Sequence, residues 1–181
     1  AVVVNQCGRE GYAEYPTEKG VARVYDSALR GLTKSRNLAI ERSTADICML
    51  SDDDEVFLPG YEDRIRQAYG ELPQADVIVF QIENWPTALG DTRRELKFPR
   101  IMKVSSVQIS FRRESLLRTG VRFDPLLGSG SGNGAEEELK FLLDCRKRGL
   151  KIYYVPVTVA RLEQSGSAWF EGFNEEFFYR R

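Results

Sequence analysis

The chain contains no histidine. A Ser-His-Asp or Cys-His catalytic site is therefore excluded, and any general base must be a carboxylate, a lysine or a tyrosine. Cysteine is scarce. The three present, Cys7, Cys48 and Cys145, are odd in number, widely spaced and form no CxxC pair. That pattern supplies no disulfide framework and, without histidine, no zinc site. It fits reduced thiols, and the expectation is a cytoplasmic protein. No apolar run approaches the ~20 residues that span a bilayer. Charge of one sign is lacking too: 26 Lys and Arg face 27 Asp and Glu, a net charge of −1. The total makes no case for nucleic acid or for an anionic membrane surface. Locally, the stretch from Arg93 to Arg122 is basic.

What is present is ordinary in bulk and unusual in places. An apolar fraction of 42% and a charged fraction of 29% belong to a globular protein, and 181 residues suit a single domain. The sharpest local feature is Ser51-Asp52-Asp53-Asp54-Glu55, directly after the apolar stretch Asp46–Leu50. Adjacent carboxylates at a strand end repel one another. A hard divalent cation such as Mg²⁺ or Mn²⁺ would neutralise them, because such ions take oxygen ligands. At the carboxyl end of a strand it would also meet a phosphate-bearing substrate. The plainer reading is a solvated acidic turn or a cap for the helix near Pro59.

Along the chain, Ala1–Gln6 reads as a buried parallel strand, and 8–20 as a loop carrying Pro16 and several glycines. Val21–Tyr25 is a second strand. Gly31–Arg42 is a helix with Thr33 as its N-cap. Asp46–Leu50 is a strand, and Pro59 opens a helix that runs to about Gly70. Asp76–Ile82 is a buried strand, Glu83–Arg100 is irregular, and Val104–Phe111 is a strand with alternating Val107, Ile109 and Phe111. Arg112–Thr119 is a short helix. A Gly/Ser loop from Gly128 to Gly134 leads to Glu136-Glu137-Glu138, which open a helix ending at Gly149. Lys151–Val155 is a last strand before Pro156. The tail from Glu163 to Arg181 is rich in aromatics, for which core packing is the plain reading. Continuous apolar strands alternating with helices argue an α/β fold with a largely parallel sheet.

Two further clusters accompany the acidic run. Gly31-Leu32-Thr33-Lys34-Ser35-Arg36-Asn37 sets cations on the first turns of a helix, which an ordinary basic helix face would also do. Glu136–Glu138 complement a helix dipole, where one glutamate would suffice for ~0.3–1 kcal/mol.

The segment GLTKSRNLAIERSTADICMLSDDDEVFLPGYEDRI resembles the family 2 glycosyltransferases of the GT-A fold. In that family a GLSxARN-like helix precedes a strand ending in an LDxDDE-like motif and then LPG. The segment GAEEELKFLLDCRKRGLKIYYVP resembles the family's second signature, an acidic pair opening a helix that ends in Gly-x-Lys-Ile. The two lie about 85 residues apart. The resemblance covers nearly the whole chain and is nearest to bacterial members that build capsule or exopolysaccharide.

The resemblance implies a Rossmann-like, mostly parallel sheet flanked by helices and a metal-dependent, inverting, non-processive transferase. Its donor would be a nucleotide sugar, a UDP-sugar first, and its acceptor a saccharide or lipid-linked saccharide. Asp53 would face the donor with Asp52 beside it, and Asp54 would hold Mg²⁺ or Mn²⁺ with help from Asp53. Lys34 and Arg36 would lie near the donor. Glu138 would be the base, with Glu137 before it. Work at the inner face of a membrane is a further expectation.

The chain also departs from the family. Ser51 stands where many members have aspartate. The family's first strand has no counterpart, Ala1–Cys7 resembling the second, so a longer protein is expected upstream. The second strand ends in Asn5-Gln6-Cys7 rather than in acidic residues that bind uridine. Val159-Ala160-Arg161-Leu162 stands where many members carry a metal-binding histidine. The absence of Gln-x-x-Arg-Trp argues against a processive synthase. Two other readings stay open: a sugar-phosphate nucleotidylyltransferase, and a non-catalytic binding domain of the same fold.

Overall fold

The computed structural model describes residues 1–85, 89–131 and 136–163. Expectations for Gly132 to Gly134 and for the tail from residue 164 onward lie outside these residues. The chain forms two compact units. Among the described residues, one holds Ala1–Ala45 with Arg122–Lys140, and the other holds Asp46–Val121 with Phe141–Glu163.

The first unit is built on a three-stranded sheet: β1 (Val2–Asn5), β2 (Gly11–Thr17) and β3 (Gly20–Asp26), in the order β1-β3-β2. β1 runs parallel to β3, with Val3 opposite Val24. β2 and β3 form an antiparallel hairpin from Gly11↔Asp26 to Thr17↔Gly20. The stretch expected as a loop is thus largely strand. Pro16 is tolerated because β2 is an edge strand, where a missing N–H breaks no ladder. β1 is parallel as expected but not buried. It too lies at an edge, and Val3 is 44% exposed. Helix α1 (Leu32–Arg42) packs against β1, and the Arg42 guanidinium sits 5.5 Å from the Tyr25 ring centroid.

The second unit carries a six-stranded sheet. Its strands are β4 (Ile47–Met49), β5 (Glu55–Phe57), β6 (Val77–Glu83), β7 (Arg94–Glu95), β8 (Ile109–Arg112) and β9 (Ile152–Leu162). The order is β4-β8-β6-β9-β5, with β7 also on β9. The α/β class holds, but the pairing is mixed rather than mostly parallel. Among the described residues only β1·β3 and β6·β9 are parallel. β4, β5, β7 and β8 all pair antiparallel.

β9 is twice as long as its sequence suggests. It continues through Pro156 because the register with β6 slips between Val79↔Tyr154 and Gln81↔Thr158. That bulge takes up the proline without costing a ladder hydrogen bond. The expected strand from Val104 is shorter than predicted. Arg100–Lys103 and Ser106–Gln108 are 3₁₀ turns, the second closed by a reciprocal cap between Ser105 and Gln108.

Helix α2 (Tyr61–Glu71) buries Ile65, Ala68 and Tyr69 against Ile78, Phe80 and Ile82 of β6 and Val155 and Val159 of β9. Arg112 holds its far end, donating to the carbonyls of Tyr69 (3.1 Å) and Ala75 (2.9 Å). Helix α3 (Arg113–Thr119) stops at Gly120, whose φ is 69°. Helix α4 (Glu137–Lys147) ends in two bonds, Gly149 N–H to Arg146 and Leu150 N–H to Cys145. That is the glycine-ended cap expected from the sequence.

Candidate active site

In the first unit the basic helix start and the second acidic run come together. Arg36 is buried on α1, and its Nη1 lies 3.2 Å from Glu137 Oε1 and 4.0 Å from Glu138 Oε1. Its guanidinium also sits 5.4 Å from the centre of the Phe123 ring. Side-chain exposure is 8% for Arg36, 7% for Glu137 and 20% for Glu138. Of the two glutamates, Glu138 is therefore the one open to a ligand. Glu137 is held as the buried partner of a cation.

The neighbouring residues fix this arrangement. Asn37 clamps Phe123 at two points: its Nδ2 donates to the Phe123 carbonyl (2.8 Å), and its Oδ1 accepts from the Phe123 N–H (2.9 Å). Thr33 is not an N-cap. It lies inside α1, fully buried, and donates its hydroxyl to the Leu127 carbonyl at 3.1 Å. The position before the helix is Gly31, with φ 130° and no side-chain cap. The orphan donors find partners elsewhere: Gly31 N–H reaches Gln6 Oε1 (2.7 Å), and Leu32 N–H reaches the Ser129 carbonyl (3.0 Å).

Two glycines make the packing feasible. A Cβ on Gly130 would stand 3.3 Å from Gly31 Cα. A Cβ on Gly128 would meet Glu137 Cδ at 3.2 Å and Thr33 Cγ2 at 3.3 Å. Both glycines have φ above 80°, which side-chain-bearing residues rarely adopt. Lys34 is exposed on the first turn of α1, its stem beside Gly31. The sequence reading missed the structural tie between Arg36 and Glu137 and the clamp of Asn37. Its signal was the adjacency of Arg36 and Asn37 within the basic motif.

In the second unit the acidic run links β4 to β5. Asp53 and Asp54 form a turn, as the plainer reading expects, but the run caps no helix: its last member, Glu55, begins β5. Asp53 is exposed, while Asp52 and Asp54 are half-buried. Ser106, itself buried, donates its hydroxyl to Asp52 Oδ2 at 3.5 Å. The backbone carbonyl of Asp54 accepts from the Glu163 N–H (3.0 Å).

Glu55 is the unexpected residue. Both of its carboxylate oxygens are buried and have no hydrogen-bond partner among the described residues. Its carboxyl is pushed up to about 7, first by burial and then by the charges of Asp52 and Asp54. The approaches of the Ser51 hydroxyl and the Asp52 backbone, which fall short of full hydrogen-bond geometry, offset this only in part. Only its place at the end of an acidic run could have marked it in the sequence.

These residues fit a divalent cation. An orphaned buried carboxylate beside two half-buried ones is a site short of positive charge, and its donors are all oxygen, as Mg²⁺ and Mn²⁺ require. No group of three acidic, histidine or cysteine side chains forms a ready cage among the described residues. Mg²⁺ is commonly held by one or two carboxylates together with substrate phosphates, so such a cage is not needed. All three cysteines are free thiols, and burial raises the Cys145 thiol far above its ordinary value. No helix among the described residues is long and apolar enough to cross a membrane.

No family model matches the chain, and no curated protein matches it. Solved structures do. The chain is similar to S. aureus TarS residues 1–349 in complex with UDP, with a TM-score of 0.68, 17% identity, and coverage of 88% of this chain and 49% of that one. It is similar to the same TarS fragment in complex with UDP-GlcNAc, with a TM-score of 0.67, 16% identity, and coverage of 84% and 45%. It also resembles the longer TarS structure, with a TM-score of 0.64 and 16% identity over 80% of this chain and 26% of that one. The chain spans about half the length of the first two neighbours or less. At these identities the likeness shows the fold alone, a mixed α/β one of sheets flanked by helices.

Proposed function

We propose that the chain is the donor-binding and catalytic part of a metal-dependent, inverting glycosyltransferase of the GT-A type. It moves one hexosyl group per encounter from a UDP-sugar to a saccharide or lipid-linked acceptor. The observation that carries this reading is the fold likeness to a chain solved with UDP and with UDP-GlcNAc. The acidic run, standing where the family resemblance requires it, supports the same reading.

Each residue has a role that suits its surroundings. Asp53, exposed, meets the donor, and Asp52, held by Ser106, supplies the carboxylate that Ser51 lacks. Asp54 and Asp53 would hold Mg²⁺ or Mn²⁺, which when bound would supply Lewis-acid stabilisation of the leaving diphosphate. Lys34 offers the donor phosphates an exposed cation. Glu138 is the base. As the acceptor oxygen bonds to the anomeric carbon, the carbon–oxygen bond to the diphosphate breaks and the hydroxyl proton passes to Glu138. Attack from the face opposite the leaving group inverts the anomeric centre. Arg36 and Glu137 are positioning residues that aim the first turn of α4.

Thermal shift against nucleotides and nucleotide sugars, with Mn²⁺ and with EDTA, tests the reading. Ligand at ~100 Kd adds about 2.7 kcal/mol to stability. A Mn²⁺-dependent shift with uridine nucleotides is expected, and Asp54→Ala should remove it. Glu138→Gln should keep the shift and lose sugar transfer. No shift with any nucleotide sugar would overturn the proposal.

A further inference from the structure

The second unit displays a short basic segment whose apolar side chains point outward. It begins at β7 and runs through the Arg100–Lys103 turn. Its backbone is a built structure. Leu96 is fully buried, and its N–H donates to the Ile152 carbonyl (2.7 Å). Ile101 is 1% exposed, and the Met102 and Val104 N–H groups close on Pro99 and Ile101 (3.1 and 3.2 Å). Between these anchors, Phe98 is 70% exposed and Met102 56% exposed. Phe98 is the most exposed large apolar side chain among the described residues. The same short, firmly seated turn holds out both a phenyl ring and a thioether between cationic neighbours in sequence; apolar surface with a polar rim is what marks an interaction site, where a single exposed apolar group would not.

The charges indicate which partner. Lys97, Arg100 and Lys103 flank Phe98 and Met102 in sequence, and Arg93 and Arg94 precede them. Some of this charge is already used. Arg93 pairs with Glu71, and Glu95 takes both Lys97 (3.4 Å) and Arg146 (2.6 Å). Arg100 and Lys103 are exposed and make no ion pair among the described residues. In a chain of net charge −1, such a concentration of cations around protruding apolar groups is a local design rather than a bulk property.

We propose that Lys97–Lys103 is a docking segment for an anionic lipid surface. Phe98 and Met102 enter the headgroup region, and Arg100 and Lys103 contact lipid phosphates. Apolar insertion combined with cations near an anionic leaflet is the general basis of peripheral binding. The segment serves no step of the proposed transfer, so the inference stands apart from that reading.

Co-sedimentation of the whole chain with vesicles tests it. One set is phosphatidylcholine alone, and the other contains about one-third phosphatidylglycerol, which supplies the surface potential. Binding to the anionic vesicles is expected, with loss at about 0.5 M NaCl, where charges are screened within a few ångströms. Phe98→Ser with Met102→Ser should weaken binding about tenfold or more. Arg100→Glu with Lys103→Glu should weaken it at least as much, since each cation near the surface is worth about fivefold. All four sites are exposed, so melting temperatures should stay at the wild-type value. Either no sedimentation with the anionic vesicles, or binding that both double variants retain, overturns the proposal. Binding to an acidic protein in place of the vesicles would count against it equally.

Discussion

At the scale of the residue, two buried charges decide most of what can be tested. Arg36 and Glu137 are each less than a tenth exposed, so either alone is an uncompensated ion in a poorly solvated place. Arg36→Ala should cost about 3–5 kcal/mol in urea unfolding, while the double change Arg36→Met, Glu137→Leu should cost much less. If the single change is as mild as the double, the pair is not the support it is taken to be. Glu55 is the opposite case, a charge with no cation beside it. Its folded-state value, raised to about 7 from 4.5, means the folded protein favours the proton. That contribution is complete below pH 4.5 and is lost as pH rises to 7. In metal-free protein, Glu55→Gln should therefore add about 2 kcal/mol at pH 8, allowing for its partial exposure, and almost nothing at pH 4.5. Equal melting gains at both pH values would mean that burial of the charge is not the cause.

Elements were legible from sequence where one signal acted alone. Val77–Glu83 is a continuous apolar run and was placed within a residue of its true bounds. The glycine stops at Gly120 and Gly149 were equally plain. Elements were lost where tertiary context overrode a local cue. β2 contains Gly11 and Pro16 and reads as loop, yet its partner β3 makes it a strand. β9 passes Pro156 only because β6 slips beside it, and no local pattern shows a slip. The acidic and basic motifs of the candidate site stand out as sequence patterns in the same way. The contacts of Arg36 and Asn37 were not, because they join segments far apart in the chain. The glycine pair between α1 and the loop before α4 carries its own test. Gly130→Ala imposes both a positive φ and a 3.3 Å approach to Gly31. It should cost about 1–3 kcal/mol in thermal unfolding. Gly70→Ala, where a Cβ meets nothing within 4 Å, should cost nothing and serves as the control.

On the scale of the whole molecule, the first unit is discontinuous in sequence: Ala1–Ala45 needs Arg122–Lys140 to complete it. A peptide of residues 1–45 should show no cooperative unfolding by circular dichroism, because Phe123, Leu127 and Glu137 supply the partners of Asn37, Thr33 and Arg36. A sigmoidal melt of that peptide would refute the dependence. The same arrangement bears on biosynthesis. A ribosome adds roughly 5–20 residues per second, so the nascent segment 1–45 waits on the order of 10 s before its completing segment exists. During that interval Thr33, Arg36 and Asn37 lack Leu127, Glu137 and Phe123, the partners they have in the folded unit. The nascent segment is then a client for a holdase. Expression yield should depend on translation rate between codons 46 and 140 more than on any codon after them.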